Sequence, residues 1–183
     1  MGRRRPSLVV VAGPNGSGKT TLTNEVLAHH WLDGHQYINA DLLAEQEFGG
    51  WNSADAVLKA AQRADALREE CLQSRRDFAF ETVFSSEAKV AFVERAVKAG
   101  YFVRLYFVGT SDPAVNIARV ASRVERGGHD VPTDKVVKRY HGSMVNLTRT
   151  LPLVDRGYVY DNSIDGQAAK RWFRTVEGQV RRM

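Results

Sequence analysis

The stretch from Leu8 to Thr21, LVVVAGPNGSGKTT, constrains this chain more than any other. Leu8 to Ala12 are apolar and read as a short buried strand. Directly after them Gly13, Gly18, Lys19 and Thr20 satisfy the pattern G-x-x-x-x-G-K-[ST]. Glycines let the backbone curl until successive N–H groups face one cavity, which suits an anion. Lys19 reaches outer phosphates, and the Thr20 hydroxyl is placed to ligate Mg²⁺. A helix starting at about Gly18 adds its positive end. The expected nucleotide contacts are therefore Gly13, Pro14, Asn15, Gly16, Ser17, Gly18, Lys19, Thr20 and Thr21. The bare pattern arises by chance in roughly one chain in a hundred of this length. Its place between a strand and a helix is what the chemistry requires, so a nucleoside triphosphate (ATP or GTP) with Mg²⁺ is the expected ligand.

With 183 residues the chain is long enough for one domain with a sizeable core, and 1–183 are read as a single unit with a basic, mobile arm at 1–6. No apolar run reaches the length of a membrane span, so no membrane partner is expected. The first apolar run leads straight into the phosphate loop and belongs to the fold, not to a secretion signal. Cys71 is alone, which fits a cytoplasmic location and core packing. The net charge of +5 suits a polyanionic nucleotide as well as a nucleic acid. No long Lys/Arg run with interleaved aromatics occurs, so nucleic acid is not the expected main partner.

Strand and helix patterns alternate along the chain. Helical spacing through Leu22, Val26 and Leu27 ends near His29-His30-Trp31. A short extended piece, Gln36 to Asp41, delivers Asn39 and Asp41 to the start of a helix, where Asp41 can also serve as a plain N-cap. Phe48 to Asn52 read as a loop. Ser53 caps a helix with an apolar stripe through Val57, Ala60, Ala61, Ala64, Leu67 and Cys71, and Arg63, Arg68, Glu69 and Glu70 on a solvated face. Asp77 to Thr82 form a strand that ends in Glu81 and Thr82, and ligands of open α/β sheets bind beyond such ends. A helix begins at Ser85 or Ser86 and stops at Gly100. Tyr101 to Gly109 read as a strand, followed by Asp112-Pro113 opening the next helix.

That helix is expected to bury Ile117, Val120, Ala121 and Val124 and to present Arg119, Arg123 and Arg126 on the other face. Gly127-Gly128 interrupt it, and a second helix from Thr133 carries Lys138 and Arg139. A helical hairpin with arginines on both arms, spanning about 119–139, is how a lid over a triphosphate would be built. Leu151 to Val154 and then Gly157 to Ser163 read as a short strand and a loop, which offer a place for the base. The tail from Gln167 fits either helix or edge hairpin, with strand favoured. The fold class read from this alternation is an α/β three-layer α/β/α sandwich with a mainly parallel central sheet and an arginine-rich helical lid.

Small phosphate-loop chains with such lids transfer phosphate to small acceptors, which needs a carboxylate to take the acceptor's proton. Asp41 and Glu81 are the two acids at strand ends beside the loop. Two other readings stay open at this point. One is a kinase or ATPase acting on a nucleoside or nucleic-acid end; the other is a nucleotide-binding subunit without catalysis.

Four segments taken together, GPNGSGKTT, NAD at Asn39 to Asp41, FETVFS at Phe80 to Ser85 and RVERGGHDVP at Arg123 to Pro132, resemble the zeta toxin family. The likeness runs over about 8–162. It implies a kinase related to UDP-N-acetylglucosamine kinases, with a UDP-amino sugar as acceptor and a small antitoxin protein as partner. It implies Asp41 as general base, and Lys19 with lid arginines Arg123 and Arg126 at the transferring phosphate. It implies Asn39, Asp41, Glu81, Thr82, Arg119 and Arg139 around the acceptor.

Overall fold

The computed structural model describes residues 4–24, 33–50, 53–128 and 130–181. The expected helix end at His29-His30-Trp31 and the loop residues Trp51 and Asn52 lie outside them. Strand β1 (Ser7–Ala12) is buried along its whole length, which is why it carries no alternation of apolar and polar residues. It lies third in a seven-stranded sheet of order β2-β3-β1-β4-β5-β6-β7, in the middle of its five parallel strands. The neighbours are β3 (Phe78–Thr82) and β4 (Phe102–Gly109), and β2 (Gln36–Ile38) and β5 (Arg156–Asp161) lie outside them, all five strands being parallel. The tail supplies β6 (Lys170–Val176) and β7 (Gln179–Arg181), both antiparallel, as favoured from the sequence.

Helices cover both faces, giving a three-layer α/β/α sandwich of the phosphate-loop type. On one face α3 (Ala54–Ser74), α4 (Glu87–Lys98) and α6 (Thr133–Thr150) bury Ala64, Cys71, Val93, Ala96 and Leu147 against Leu8, Val10, Phe78, Phe80, Val103, Leu105 and Phe107. On the other, α1 (Lys19–Leu22) places Leu22 against Val9, Val11, Ala79, Tyr106 and Val108. Ser53 caps α3 by accepting from the Ala56 N–H, and Asp112 caps α5 (Pro113–Glu125) by accepting from Ala114. Among the described residues no helix is long and apolar enough to cross a membrane.

Several expectations are corrected. Arg68 is buried instead of solvated: α3 leans that side onto β3, and its guanidinium lies over the Phe80 ring, 5.0 Å from the centroid. Arg4 and Arg5 are not a free arm. Arg5 pairs with Asp155 at 2.7 Å and donates to the carbonyls of Gly100 and Tyr101, while Arg4 pairs with Asp77. Ala121 and Val124 are exposed, because α5 packs chiefly through Asn116 and Val120 on the phosphate loop and through Ile117 and Val120 on Val131 and Val136.

Candidate active site

The phosphate loop occupies the carboxyl end of β1, where β1 hands the chain to α1. Gly13 has φ 149° and packs so tightly that a Cβ there would lie 2.1 Å from the Val108 carbonyl oxygen. Gly18, the N-cap of α1, has φ 93°, a region that side chains rarely adopt. The turn therefore depends on both glycines. It is held from outside by Asn116, which is fully buried on α5: its Nδ2 donates to the Asn15 carbonyl at 2.6 Å, and its Oδ1 accepts from the Thr110 hydroxyl. From the other side Asn162 Nδ2 donates to the Ser17 carbonyl at 2.8 Å. Inside the loop, Ser17 Oγ is buried with no hydrogen-bond partner among the described residues.

Lys19 folds back over its own loop, with Nζ donating to the Pro14 carbonyl at 3.0 Å. Burial pushes its pKa down from 10.5 to about 8, Glu81 and Asp41 oppose the shift, and Arg123 and Arg139 add to it. Four charged side chains from four elements thus act on one ammonium. Asp41 stands in the first turn of α2 (Ala40–Phe48), and the sequence reading of Asp41 as N-cap is corrected: Asn39 is the cap, its side chain accepting from the Asp41 N–H at 2.9 Å. That leaves the Asp41 carboxylate exposed and uncommitted to capping.

Glu81 faces the phosphate loop. Thr20 Oγ1 donates to its Oε2 at 3.0 Å, Thr23 Oγ1 lies 2.9 Å from its Oε1, and the Tyr37 hydroxyl donates to Oε1 at 2.5 Å. Burial and the Glu81 charge raise the Tyr37 pKa, so the phenol stays a donor. Asn39 Nδ2 donates to that phenol in turn, at 3.2 Å. Thr82, next along β3, turns away: its carbonyl accepts from the Gly13 N–H at 3.3 Å and its hydroxyl from the Phe84 N–H.

The arginines separate. Arg139 Nη1 donates to Asn15 Oδ1 at 3.3 Å, and Arg123 and Arg139 both act on Lys19. Arg126 is the C-cap of α5, exposed, and donates to Ser122 Oγ, so the pair at the loop is Arg123 with Arg139, where the sequence favoured Arg123 with Arg126. Arg119 pairs with Asp165 at 2.6 Å and donates to the Asn162 carbonyl at 2.7 Å. It lines a cavity of about 480 Å³ between Gly18, Thr21 and Leu22 on one wall and 164–169 on the other. That volume suits a base with its ribose. The expected hinge also narrows. Asn116 holds α5 to the loop, and from Tyr140 onward α6 is anchored, Tyr140 donating to the Thr110 carbonyl at 2.7 Å and Asn146 to that of Phe84 at 2.9 Å.

The residues fit a triphosphate with its magnesium ion. Ser17 Oγ, Lys19 Nζ and the glycine turn form a cradle of donors, and Thr20 Oγ1 beside the Glu81 carboxylate is the hard oxygen pair that Mg²⁺ takes. Among the described residues no group of three or more His, Cys, Asp and Glu stands at metal-ligand spacing. Sequence reasoning missed Tyr37, Thr23, Asn116 and Asn162. Thr20 and Thr23 at i, i+3 share a helix face, which was a readable signal. Asn116 was readable as an amide at a position where the stripe wanted an apolar residue.

A family model for zeta toxins matches residues 1–164. The chain belongs to the zeta toxin family. An uncharacterized protein of Haemophilus influenzae is 29% identical over 133 residues, which is 72% of this chain and 91% of that protein. Among solved structures, a chain of the AvrRxo1-ORF1:-ORF2 complex with ATP superposes with TM-score 0.72 at 18% identity, covering 98% of this chain and 61% of the other. This zeta toxin family member thus spans about three-fifths of that chain. The Streptococcus pneumoniae PezAT chromosomal toxin–antitoxin system gives TM-score 0.60 at 16% identity over 92% of this chain and 72% of that one. Shikimate kinase of Acinetobacter baumannii in complex with shikimate gives 0.52 at 15% identity over 90% and 85%. At these identities the likeness is one of fold.

Proposed function

We propose that the protein is an ATP-dependent phosphotransferase that moves the γ-phosphate to a hydroxyl of a small acceptor, with UDP-N-acetylglucosamine or a related UDP-amino sugar as the favoured class. The observation that carries this reading is the phosphate loop itself, with Lys19 Nζ folded over it, Thr20 Oγ1 3.0 Å from Glu81 Oε2 and Arg139 reaching Asn15 of the loop from α6. Family membership supports the activity, and the ATP in the AvrRxo1 structure supports the donor nucleotide. The PezAT toxin–antitoxin system supports an antitoxin protein as partner, and the AvrRxo1-ORF1:-ORF2 complex supports a partner protein more generally.

In this reading 162–169 and Arg119 hold base and ribose, and the loop's N–H groups and Lys19 hold the phosphates. Thr20 and Glu81 would hold Mg²⁺, which when bound neutralises charge on the β- and γ-phosphates. Asp41 accepts the proton of the acceptor hydroxyl as its oxygen bonds to the γ-phosphorus. The bond from that phosphorus to the β-bridging oxygen breaks, and ADP leaves with the electron pair. Arg123 and Arg139 stabilise charge on the transferring group.

The test is Asp41→Ala. The reading expects phosphoryl transfer to fall by about 10²–10⁴-fold while ATP binding survives. Full activity in this variant would remove Asp41 as the base.

A further inference from the structure

The hydrogen bonds that close α5 give each residue of its end a place. The Gly127 N–H donates to the Val124 carbonyl at 2.9 Å, and the Gly128 N–H donates to the Arg123 carbonyl at 3.0 Å. These paired bonds make a Schellman cap, in which Arg126 is the C-cap, Gly127 is C′, Gly128 is C″ and Arg123 is C3. The two glycines meet different demands. Gly127 has φ 85°, the left-handed turn that C′ needs, and a Cβ there would have nothing within 4 Å. Gly128 needs no left-handed backbone. A Cβ on Gly128 would instead lie 2.6 Å from Arg123 Cγ, 3.2 Å from its Cδ and 3.0 Å from its carbonyl oxygen. Glycine at 127 is a matter of backbone, and glycine at 128 is a matter of room.

Such caps commonly pack a hydrophobic C″ side chain against C3. Here C″ is bare, and the stem of Arg123 runs through that space. Neither contact yields without a wider change. The carbonyl oxygen is held by the Gly128 N–H. Cγ lies so near the backbone that it moves away only by rotation about the Cα–Cβ bond, into another rotamer. That rotation swings the guanidinium at the far end of the side chain. Arg123 and Arg139 come from the two arms of the 119–139 hairpin, and both act on Lys19. Arg139 is tied to the loop through Asn15 at 3.3 Å.

We propose that Gly128 is a positioning residue: the bare C″ position keeps the Arg123 stem in the rotamer that directs its guanidinium toward Lys19 and the phosphate loop. Its effect on rate rests on the proposed phosphotransfer and on the role of Arg123 there, and its effect on the rotamer does not.

Crystal structures, thermal melts and steady-state kinetics of Gly128→Ala, Arg123→Ala, the double variant and Gly127→Asn test this. In Gly128→Ala the Arg123 side chain is expected in a different χ1 rotamer, with α5 still capped. Its kcat is expected to fall by about tenfold to 10²-fold, as misplacement of a catalytic group does, with the KM for ATP within about threefold of wild type. The double variant is expected to be no slower than Arg123→Ala, because without the stem the added methyl displaces nothing that the rate depends on. It is also expected to melt no lower than Gly128→Ala. Gly127→Asn is expected to keep kcat within about threefold, since Asn also serves at C′. An unchanged Arg123 rotamer in Gly128→Ala overturns the proposal, as does a double variant that melts below Gly128→Ala. So does a kcat loss in Gly128→Ala that multiplies with that of Arg123→Ala, or an equal loss in Gly127→Asn, either of which marks a merely structural cap. A displaced Arg123 together with full kcat in Arg123→Ala upholds the positioning and overturns the role of Arg123 in transfer.

Discussion

Thr20 Oγ1 lies 3.0 Å from Glu81 Oε2, joining the first turn after the phosphate loop to the end of the neighbouring strand. Glu81 is aimed by Tyr37 and Thr23, so its carboxylate cannot drift toward solvent without breaking both contacts. This aligns one carboxylate and one hydroxyl where a magnesium ion on a bound triphosphate would sit. Glu81→Gln keeps the shape and removes the charge. It is expected to raise the Mg²⁺ concentration for half-maximal activity by about tenfold, one lost unit of favourable interaction being roughly 1.4 kcal/mol. A Mg²⁺ titration of activity at fixed ATP checks this. Tyr37→Phe is expected to move the same midpoint less, because Thr23 still holds the acid.

Lys19 predicts two opposite pH responses. A bound triphosphate favours the charged ammonium and raises its pKa above the value of about 8 in the free protein. ATP affinity is therefore full below pH 8 and falls as pH rises above it, with proton uptake on binding. Stability of the free protein runs the other way. Between about 8 and 10.5 the unfolded chain holds the lysine proton more tightly than the folded one, so this group's contribution to stability rises with pH across that window. Calorimetric titration with ATP in buffers of different ionisation enthalpy reads the first response. Urea midpoints of wild type against Lys19→Met read the second.

The arginines give a sharp contrast. Arg123 and Arg139 both act on Lys19, whereas Arg126 caps α5 and bonds Ser122. Arg123→Ala and Arg139→Ala are each expected to lower kcat by about 10²-fold or more, as loss of a transition-state donor does. Arg126→Ala is expected to change kcat by less than about threefold, a shift of roughly 0.7 kcal/mol or less. Steady-state kinetics of the three variants decide between this pairing and the one the sequence favoured.

Asn116 is the most consequential residue that no motif announces. Its amide is fully buried and links Thr110, α5 and the Asn15 carbonyl of the loop. Asn116→Ala leaves a buried carbonyl without its donor, at about 1–3 kcal/mol. For a chain of this size that lowers Tm by about 2–12 °C. The loss of loop restraint is expected to raise the KM for ATP more than it lowers kcat. A thermal melt and ATP titrations check both.

What the sequence could tell divides along a physical line. The phosphate loop, the strand–helix alternation and the cap at Ser53 depend on neighbours in the chain, and each was legible. The tail was also readable as strands, since Trp172-Phe173 and Gly178 suit a hairpin better than a helix. Contacts between distant segments were not legible. Arg68 looks like any charged residue on a polar helix face until α3 is laid on Phe80. Arg126, close to Arg123 in the chain, reads as its partner ahead of Arg139 until the packing of α5 and α6 is known. Glu81 reads as a strand-end acid, and only the packing of α1 shows that it meets Thr20 and Thr23.

The central claim is phosphoryl transfer from ATP to a small hydroxyl acceptor at Lys19 and Asp41. Its most direct test is mass spectrometry of purified protein incubated with ATP, Mg²⁺ and a panel of UDP-sugars and nucleosides. The account predicts one added phosphate on UDP-N-acetylglucosamine or a related UDP-amino sugar, absent with Lys19→Ala. ATP hydrolysis with no phosphorylated acceptor in any well would contradict it.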